Sequence, residues 1–303
     1  MNRYFSFILV TLLLWSCTNE AVDQIPEEQA CDNGTFVGRV FLTTQQEVND
    51  FGDLCYTKID GAMTLNDLSS TDDKIVDLLP LTNLIEIYTE TYPDSLHGSL
   101  GILTSELTNL QGLINLESVG SLVIKNNESL ISLNGLESLN IIGSEASLFF
   151  DDLFIENNSN LQNIDGLNNL TQIGTDGQYS RLLIRGNPLL QHIDGLESLS
   201  KIGTSTSPQD ISSLRIVFNN QLQNVNGLAS LSEVYGDLDF LSIPSDIIGP
   251  EPDPIYGNEN LLDFCGLQNL LSNCIYGNVR TNHPNFSGYG PTVQDIIDGN
   301  CSQ

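Results

Sequence analysis

Basic residues are scarce in this chain. Its 303 residues include 10 Lys and Arg against 39 Asp and Glu, which gives a formal charge of −29 at pH 7. A surface this acidic repels the phosphate groups of nucleic acids and of anionic lipids. We therefore expect no nucleic-acid partner.

The residue patterns of enzymes and metal centres are also missing. The three histidines are not spaced as metal ligands or as members of a catalytic triad. There is no Gly-rich phosphate loop, nucleophile elbow or H-E-x-x-H motif. The acidic residues Asp67, Asp72 and Asp73 lack the spacing of a calcium loop. The sequence thus predicts no catalytic residue, no cofactor and no metal.

Long apolar runs are absent outside the N-terminus. Residues 4–15 are largely apolar but too short for a permanent membrane helix. The motif LWSC at residues 14–17 resembles a bacterial lipobox, with cleavage before Cys17 and lipid on its thiol. We expect membrane contact only through this lipid anchor. A lipoprotein that is retained in the inner membrane has Asp directly after the lipid-carrying cysteine, whereas this chain has Thr18 there. The sequence therefore predicts an outer membrane lipoprotein that is exposed at the cell surface.

These patterns divide the chain into three parts. Residues 1–16 are predicted to be a lipoprotein signal peptide and residues 17–30 an acidic, flexible tether, similar to the export signals of Bacteroidota surface lipoproteins. Residues 31–303 are predicted to be a single domain. The cysteines of this domain cluster at its two ends and lack the C-x-x-C spacing of zinc sites, which favours disulfides in an oxidising compartment. They are Cys31, Cys55, Cys265, Cys274 and Cys301.

The domain is dominated by a repeat that residues 120–143, GSLVIKNNESLISLNGLESLNIIG, display most clearly. Each copy is anchored on a Gly-Leu pair, and apolar residues recur at fixed offsets of two or three positions. About seven copies share a frame of about 23 residues, which is typical of stacked-repeat proteins. The spacing and the β-branched residues favour short strands joined by tight bends over a helix. We expect an all-β solenoid in which like residues stack over like.

Two polar positions of the frame have structural interpretations. Five copies have an asparagine eight residues before the glycine, and this asparagine is expected to point inward, bind the bend carbonyls and stack in a ladder. This column is Asn127, Asn158, Asn187, Asn219 and Asn258. The dipeptides Asn134-Gly135, Asp165-Gly166, Asp194-Gly195 and Asn226-Gly227 predict left-handed backbone at a corner.

The frame L-x-I-x-x-N-x-x-L-x-x-I-x-G-L-x-x-L-x-x-I-G resembles the bacterial form of the receptor L-domain family over about residues 31–302. The resemblance implies a right-handed parallel β-helix of leucine-rich-repeat-like coils, with a short helical cap at each end, on a cell-surface lipoprotein. It also implies disulfides joining Cys31 to Cys55 and Cys265 to Cys301. From the residues alone, a bond between Cys265 and Cys274, which leaves Cys301 free, fits as well.

Capping motifs lie near both ends of the domain. Thr44 to Glu47 form a capping box that predicts a two-turn helix with Gly52 as its stop. Thr292 is placed to cap a closing helix that ends at Gly299.

Three coils carry insertions at one shared place, residues 144–152, 175–180 and 204–212, and a proline-rich insertion covers 242–257. Because the place is shared, we expect the first three loops to stack along one edge and to bind a glycan or a protein. The proline-rich insertion is a second candidate contact loop or a lid over the edge of the core. The ligand-binding candidates are Phe149, Phe150, Asp152, Tyr179, Arg181 and Tyr256. The alternatives are a structural surface spacer without a specific ligand and, third, a polysaccharide-acting β-helix enzyme that uses Asp151, Asp152 and Arg181.

Overall fold

A computed structural model describes residues 33–67, 72–90, 98–143, 151–175, 180–204, 212–240, 258–273, 279–280 and 291–302, all within one compact unit, Asp32–Gln303. The predicted signal peptide, the tether and Cys17 lie outside the described residues. Within the described ranges, no helix has the length and apolar character needed to cross a membrane.

The described residues form a 15-stranded sheet. In chain order the strands are β1 (Thr35–Leu42), β2 (Lys58–Asn66), β3 (Glu86–Tyr88), β4 (Ser99–Leu103), β5 (Ser118–Val119), β6 (Ser121–Lys125), β7 (Ile141–Ile142), β8 (Asp151–Glu156), β9 (Gln172–Ile173), β10 (Ser180–Arg185), β11 (Lys201–Ile202), β12 (Ser212–Val217), β13 (Glu233–Val234), β14 (Gly236–Asp239) and β15 (Val279–Arg280).

The strands pair in parallel and build two ladders that both start at β2. The even-numbered strands form the long-strand ladder, which β15 ends, and the odd-numbered strands β3 to β13 form the short-strand ladder. Ile59 of β2 lies opposite Ile87 of β3, and Leu65 of β2 lies opposite Ile102 of β4. Strand β1 pairs with β2 along its whole length. Each full coil thus supplies one short and one long strand, and the predicted parallel β-solenoid is confirmed.

Leucine and isoleucine side chains from successive coils stack inside the solenoid. Leu122, Leu153, Leu182 and Leu214 are consecutive partners in the long-strand ladder, and each is 0% exposed. A second inward row two residues along consists of Ile124, Ile155, Ile184 and Ile216. Burial of each such side chain contributes about 1.5–3 kcal/mol. One coil cannot bury its own apolar face, so stacking is what stabilises the fold.

The asparagine column bridges the coils at the bend after each long strand. The main-chain N–H and Nδ2 of Asn127 both donate to Oδ1 of Asn158, at 3.0 and 3.2 Å. Nδ2 of Asn127 also donates to the carbonyl oxygen of Ile102 at 2.9 Å. The same contacts to the next asparagine recur at Asn158, Asn187 and Asn219, and the last of them reaches Asn258. Side-chain amides therefore satisfy backbone groups at bends that water does not reach.

Three of the four dipeptides lie in 3-10 turns, and for these three the prediction of left-handed backbone is wrong. Gly135 has φ +111°, but Gly166, Gly195 and Gly227 do not have positive φ. A Cβ on Gly195 would instead overlap the carbonyl oxygen of Ile164 in the preceding coil. Glycine is required at this position because two backbones approach closely.

Helix α1 (Gln45–Gly52) lies between β1 and β2 and confirms the predicted N-terminal cap. The hydroxyl oxygen of Thr44 accepts from the N–H of Glu47 at 3.2 Å, and Val48 is 0% exposed. The Glu47 carboxylate accepts from the N–H and the hydroxyl of Thr43, at 2.6 and 2.9 Å. These hydrogen bonds lower the pKa of Glu47.

Helices α2 (Gln268–Asn273) and α3 (Val293–Ile297) lie at the C-terminal end. Thr292 caps α3, and a disulfide joins Cys265 to Cys301 with Cα atoms 4.9 Å apart. The alternative bond between Cys265 and Cys274 is therefore wrong. Cys55 is also disulfide-bonded, whereas its expected partner Cys31 lies, like Cys274, outside the described residues.

Candidate ligand-binding face

Outward side chains of four adjacent long strands form the candidate site, because alternate residues of a strand point away from the core. The register of β6, β8, β10 and β12 aligns them in three rows, which we call the outer face. The middle row is Val123, Phe154, Leu183 and Arg215; one flanking row is Ser121, Asp152, Arg181 and Ser213; the other is Lys125, Glu156, Arg185 and Val217.

The middle row places apolar side chains in contact with solvent. Val123, Phe154 and Leu183 are each half-buried and occupy one register position on three neighbouring strands. Neighbouring strands lie about 4.8 Å apart, so these side chains form a continuous apolar strip. The strip is bordered on both sides by charged residues.

Asp152 and Arg181 form an ion pair on the outer face with two hydrogen bonds. Nε and Nη2 of Arg181 donate to the two carboxylate oxygens of Asp152 at 2.9 and 2.6 Å. The guanidinium carbon of Arg181 lies 4.8 Å from the ring centroid of Phe154. Burial raises the pKa of Asp152, and the hydrogen bonds from Arg181 oppose that shift. The pair is thus held by a two-pronged hydrogen bond and by the aromatic ring beneath it.

Basic residues are concentrated on the outer face of a chain that has only 10 of them. Besides Arg181, the face carries Lys125, Arg185 and Arg215. Nζ of Lys125 lies 3.0 Å from Glu156, and Nε of Arg215 lies 3.5 Å from a carboxylate oxygen of Asp239. The outer face is therefore less acidic than the composition of the chain as a whole.

Outward polar side chains elsewhere on the solenoid bind the neighbouring coil. Nδ2 of Asn160 donates to the carbonyl oxygen of Glu128 at 2.7 Å, and Nδ2 of Asn169 donates to that of Glu137 at 2.7 Å. Asn115 and Asn260 make the same kind of contact one coil back. These exposed asparagines have a structural role that the apolar strip of the outer face does not share.

The structure brings two of the six predicted ligand-binding residues together, Asp152 and Arg181. They lie in strands and not in the inserted loops, because β8 already begins at Asp151 and β10 at Ser180. The predicted insertion boundaries 144–152, 175–180 and 204–212 therefore run too far into the strands. The other four candidates, Phe149, Phe150, Tyr179 and Tyr256, lie outside the described residues.

The rest of the outer face, of which Phe154, Leu183 and Arg185 are examples, was not predicted from the sequence. Each of these residues follows or precedes an inward Leu or Ile of the frame, as Phe154 does between Leu153 and Ile155. The alternation of inward and outward side chains along a strand was the signal in the sequence that could have identified them.

Asp151 and Asp152 do not share a face. Asp151 is 0% exposed, and its carboxylate accepts from the N–H of Thr175 at 3.3 Å. Since neighbouring residues of a strand point to opposite sides, Asp152 alone of the two belongs to the outer face. Two carboxylates converging on one substrate, as glycoside hydrolysis needs, are not formed by this pair.

Among the described residues, one group has the composition of a metal site: Asp263, Cys265 and Cys301, whose ligand atoms lie within 4.8 Å of one another. Its two sulfur atoms are joined in the disulfide, so they are not thiolate ligands. Of the acidic residues considered for calcium, Asp67 accepts from Lys74 at 3.2 Å and Asp73 accepts from the N–H of Gln46 at 3.1 Å.

No protein-family model, no curated protein and no solved structure matches this chain.

Proposed function

We propose that the chain is an exported, lipid-anchored cell-surface protein that binds a glycan or protein ligand through the outer face. The observation that carries this proposal is the apolar strip, in which Phe154 and Leu183 are half-buried between rows of charged side chains. An apolar centre with a charged rim is the usual anatomy of a recognition surface. The core is filled from the inward positions, so stacking of the coils does not require these two side chains.

The proposed location depends mainly on the N-terminal sequence. Lipid on Cys17 of the LWSC motif attaches the chain to the outer membrane, and the acidic segment 17–30 connects the anchor to the solenoid. The disulfide between Cys265 and Cys301 supports export, because such bonds are rare in the reducing cytosol. On the repeat frame we propose membership in the bacterial receptor L-domain family.

Binding is tested by probing glycan and protein arrays with the full chain and with the Phe154→Ala, Leu183→Ala double variant. We expect the variant to lose about tenfold or more in affinity while it stays folded. Ile131→Ala is the matched control, because Ile131 is a 44% exposed apolar residue outside the outer face. If all three proteins bind a ligand equally, the outer face is not the site. If none of them binds any glycan or protein on the arrays, the spacer function is favoured.

The location is tested in cells that produce the protein. Cys17→Ser should release the chain from the membrane fraction, and protease added to intact cells should digest the wild type. A Cys17→Ser variant that stays in the membrane fraction contradicts the lipid anchor. A wild type that resists protease on intact cells but not in lysed cells contradicts surface exposure.

A further inference from the structure

Phe218 has a left-handed backbone conformation, which glycine and asparagine adopt more readily than an aromatic residue does. The residue directly before each of the ladder asparagines 127, 158, 187 and 219 has positive φ: 58° at Asn126, 56° at Asn157, 68° at Gly186 and 60° at Phe218. Asparagine and glycine tolerate this left-handed region, whereas a bulky aromatic residue there is an outlier. A strained residue that the frame does not require points to a role for its side chain.

The contact made by the ring indicates what that role is. The guanidinium carbon of Arg185 lies 5.4 Å from the ring centroid of Phe218. Arg185 ends β10 on the outer face, opposite Val217, and Phe218 follows Val217 directly. Phe218 itself is half-buried. The ring therefore supports the Arg185 side chain at the end of the strand, in the distance range of a cation–π contact.

Arg185 has no carboxylate within ion-pair distance among the described residues. Its register neighbour is Glu156, but the Glu156 carboxylate binds Nζ of Lys125 at 3.0 Å. The basic residues that do form ion pairs with carboxylates are Lys58, Lys74, Lys125, Arg181, Lys201 and Arg215. The chain has 39 Asp and Glu, yet none of those described pairs with Arg185. The Arg185 guanidinium is therefore available to a carboxylate of a binding partner.

We infer that Arg185, held on the ring of Phe218, binds a carboxylate of a protein partner whose neighbouring side chains are apolar. The planar guanidinium offers two parallel N–H donors that match the two oxygens of a carboxylate. Leu183 lies two residues before Arg185 in the apolar strip, next to Phe154. The aliphatic side chains of Val123 and Leu183 suit packing against apolar side chains, which favours a protein over a sugar ring as the occupant.

This inference rests on the proposed binding function of the outer face and specifies its partner. The test selects a displayed library of random peptides on the immobilised full chain and measures the affinity of each enriched peptide for variants. We expect enriched peptides to carry Asp or Glu beside an apolar residue. Arg185→Gln should weaken their binding about tenfold or more, because a hydrogen-bonded ion pair is lost.

Two further variants separate recognition from stability. Phe218→Asn restores the residue type found at positions 126 and 157, so the midpoint of thermal unfolding should stay the same or rise while peptide affinity falls. Lys201→Gln is the matched control, because Nζ of Lys201 also lies 5.4 Å from an aromatic centroid, that of Tyr235, but on the short-strand ladder. Its peptide affinity should equal that of the wild type.

Each remaining outcome contradicts the inference in a distinguishable way. Peptides that bind through Phe154 and Leu183 but are indifferent to Arg185→Gln overturn the carboxylate site and leave the proposed function in place. Selection of no peptide, or Arg185-dependent binding of polygalacturonate instead, contradicts a protein partner. Binding that no outer-face substitution weakens contradicts both the inference and the proposed function.

Discussion

Asn127 and Asn158, which come from successive coils, share a two-pronged hydrogen bond: Oδ1 of Asn158 accepts from the main-chain N–H of Asn127 at 3.0 Å and from its Nδ2 at 3.2 Å. Asn158 in turn donates to the carbonyl oxygen of Ile124 at 3.1 Å. Both asparagines are 0% exposed. One side chain thus satisfies two buried donors and one buried acceptor of the coil before it.

Asn158→Ala should therefore destabilise the solenoid strongly. The substitution removes the acceptor of the buried main-chain N–H of Asn127 and the side-chain donor to the carbonyl of Ile124, whereas Nδ2 of Asn127 keeps its bond to Ile102. Each buried group that loses its partner costs about 1–3 kcal/mol. We predict a loss of about 3 kcal/mol or more in the free energy of unfolding, measured by denaturant titration. Asn160→Ala is the control. It removes an exposed hydrogen bond to Glu128 and should cost about 1 kcal/mol or less. Equal losses would refute the structural role of the buried column.

Gly195→Ala tests the close approach of backbones at the 3-10 turns. A Cβ at this position overlaps the carbonyl oxygen of Ile164, which belongs to the backbone of the preceding coil and cannot rotate away. We predict a loss of about 3 kcal/mol or more in unfolding free energy. Gly101→Ala places a Cβ 3.7 Å from the Thr64 side chain, an ordinary contact, and should change stability by about 1 kcal/mol or less. The close approach is contradicted if Gly195→Ala is tolerated as well as Gly101→Ala.

Two aspartates should give opposite dependences of stability on pH. Burial raises the pKa of Asp152 above its ordinary value of 3.8, so the folded chain keeps this proton at pH values where the unfolded chain has lost it. Its contribution to stability is complete below pH 3.8 and falls as pH rises through the folded pKa. Hydrogen bonds from Thr292 lower the pKa of Asp295. The Asp295 contribution is present above pH 3.8 and is lost as pH falls through the folded pKa.

The measurement is the unfolding free energy across this acid range for the wild type, Asp152→Asn and Asp295→Asn. The wild-type value minus that of Asp152→Asn should decrease as pH rises. The corresponding difference for Asp295→Asn should increase. Slopes of the same sign contradict one of the two assignments, and an NMR titration of the two carboxyl groups identifies which.

The disulfide between Cys265 and Cys301 should stabilise the C-terminal end. It closes a segment of 36 residues, and a crosslink of this length contributes about 2–4 kcal/mol. We predict that the Cys265→Ser, Cys301→Ser double variant loses stability of that size. Hydrogen exchange should rise first in α2 and α3 and leave the Asn127 to Asn187 part of the ladder protected. Uniform loss of protection would mean that the two ends of the solenoid unfold as one unit.

The sequence predicted the inward half of this fold well, because stacking imposes the same requirement on every coil. Leu153 and Leu182 occupy one position and Asn158 and Asn187 another, so each residue type recurs at a fixed offset and the periodicity is visible. The turn geometry at Gly195 was less accessible. A glycine needed for left-handed backbone and a glycine needed for close approach are identical in sequence, and only the position of Ile164 in the neighbouring coil distinguishes them.

The outer face was harder to predict because no stacking requirement acts on outward positions. The residues at the middle row change from Val123 to Phe154, Leu183 and Arg215, and such variation leaves no period to detect. The first residues of the long strands were also not predictable from the repeat. The frame begins with an apolar residue such as Leu153, so the polar residues Asp151 and Asp152 before it were assigned to a loop, although both belong to β8.

Strand β10 divides its residues between the stacked core and the outer face. Leu182 and Leu183 are neighbours on opposite sides of this strand: Leu182 is 0% exposed, and Leu183 is half-buried on the outer face. We predict that Leu182→Ala lowers the free energy of unfolding by about 2–5 kcal/mol and that Leu183→Ala lowers it by about 1 kcal/mol or less. Equal losses from the two substitutions, or a larger loss from Leu183→Ala, would contradict this division of the strand.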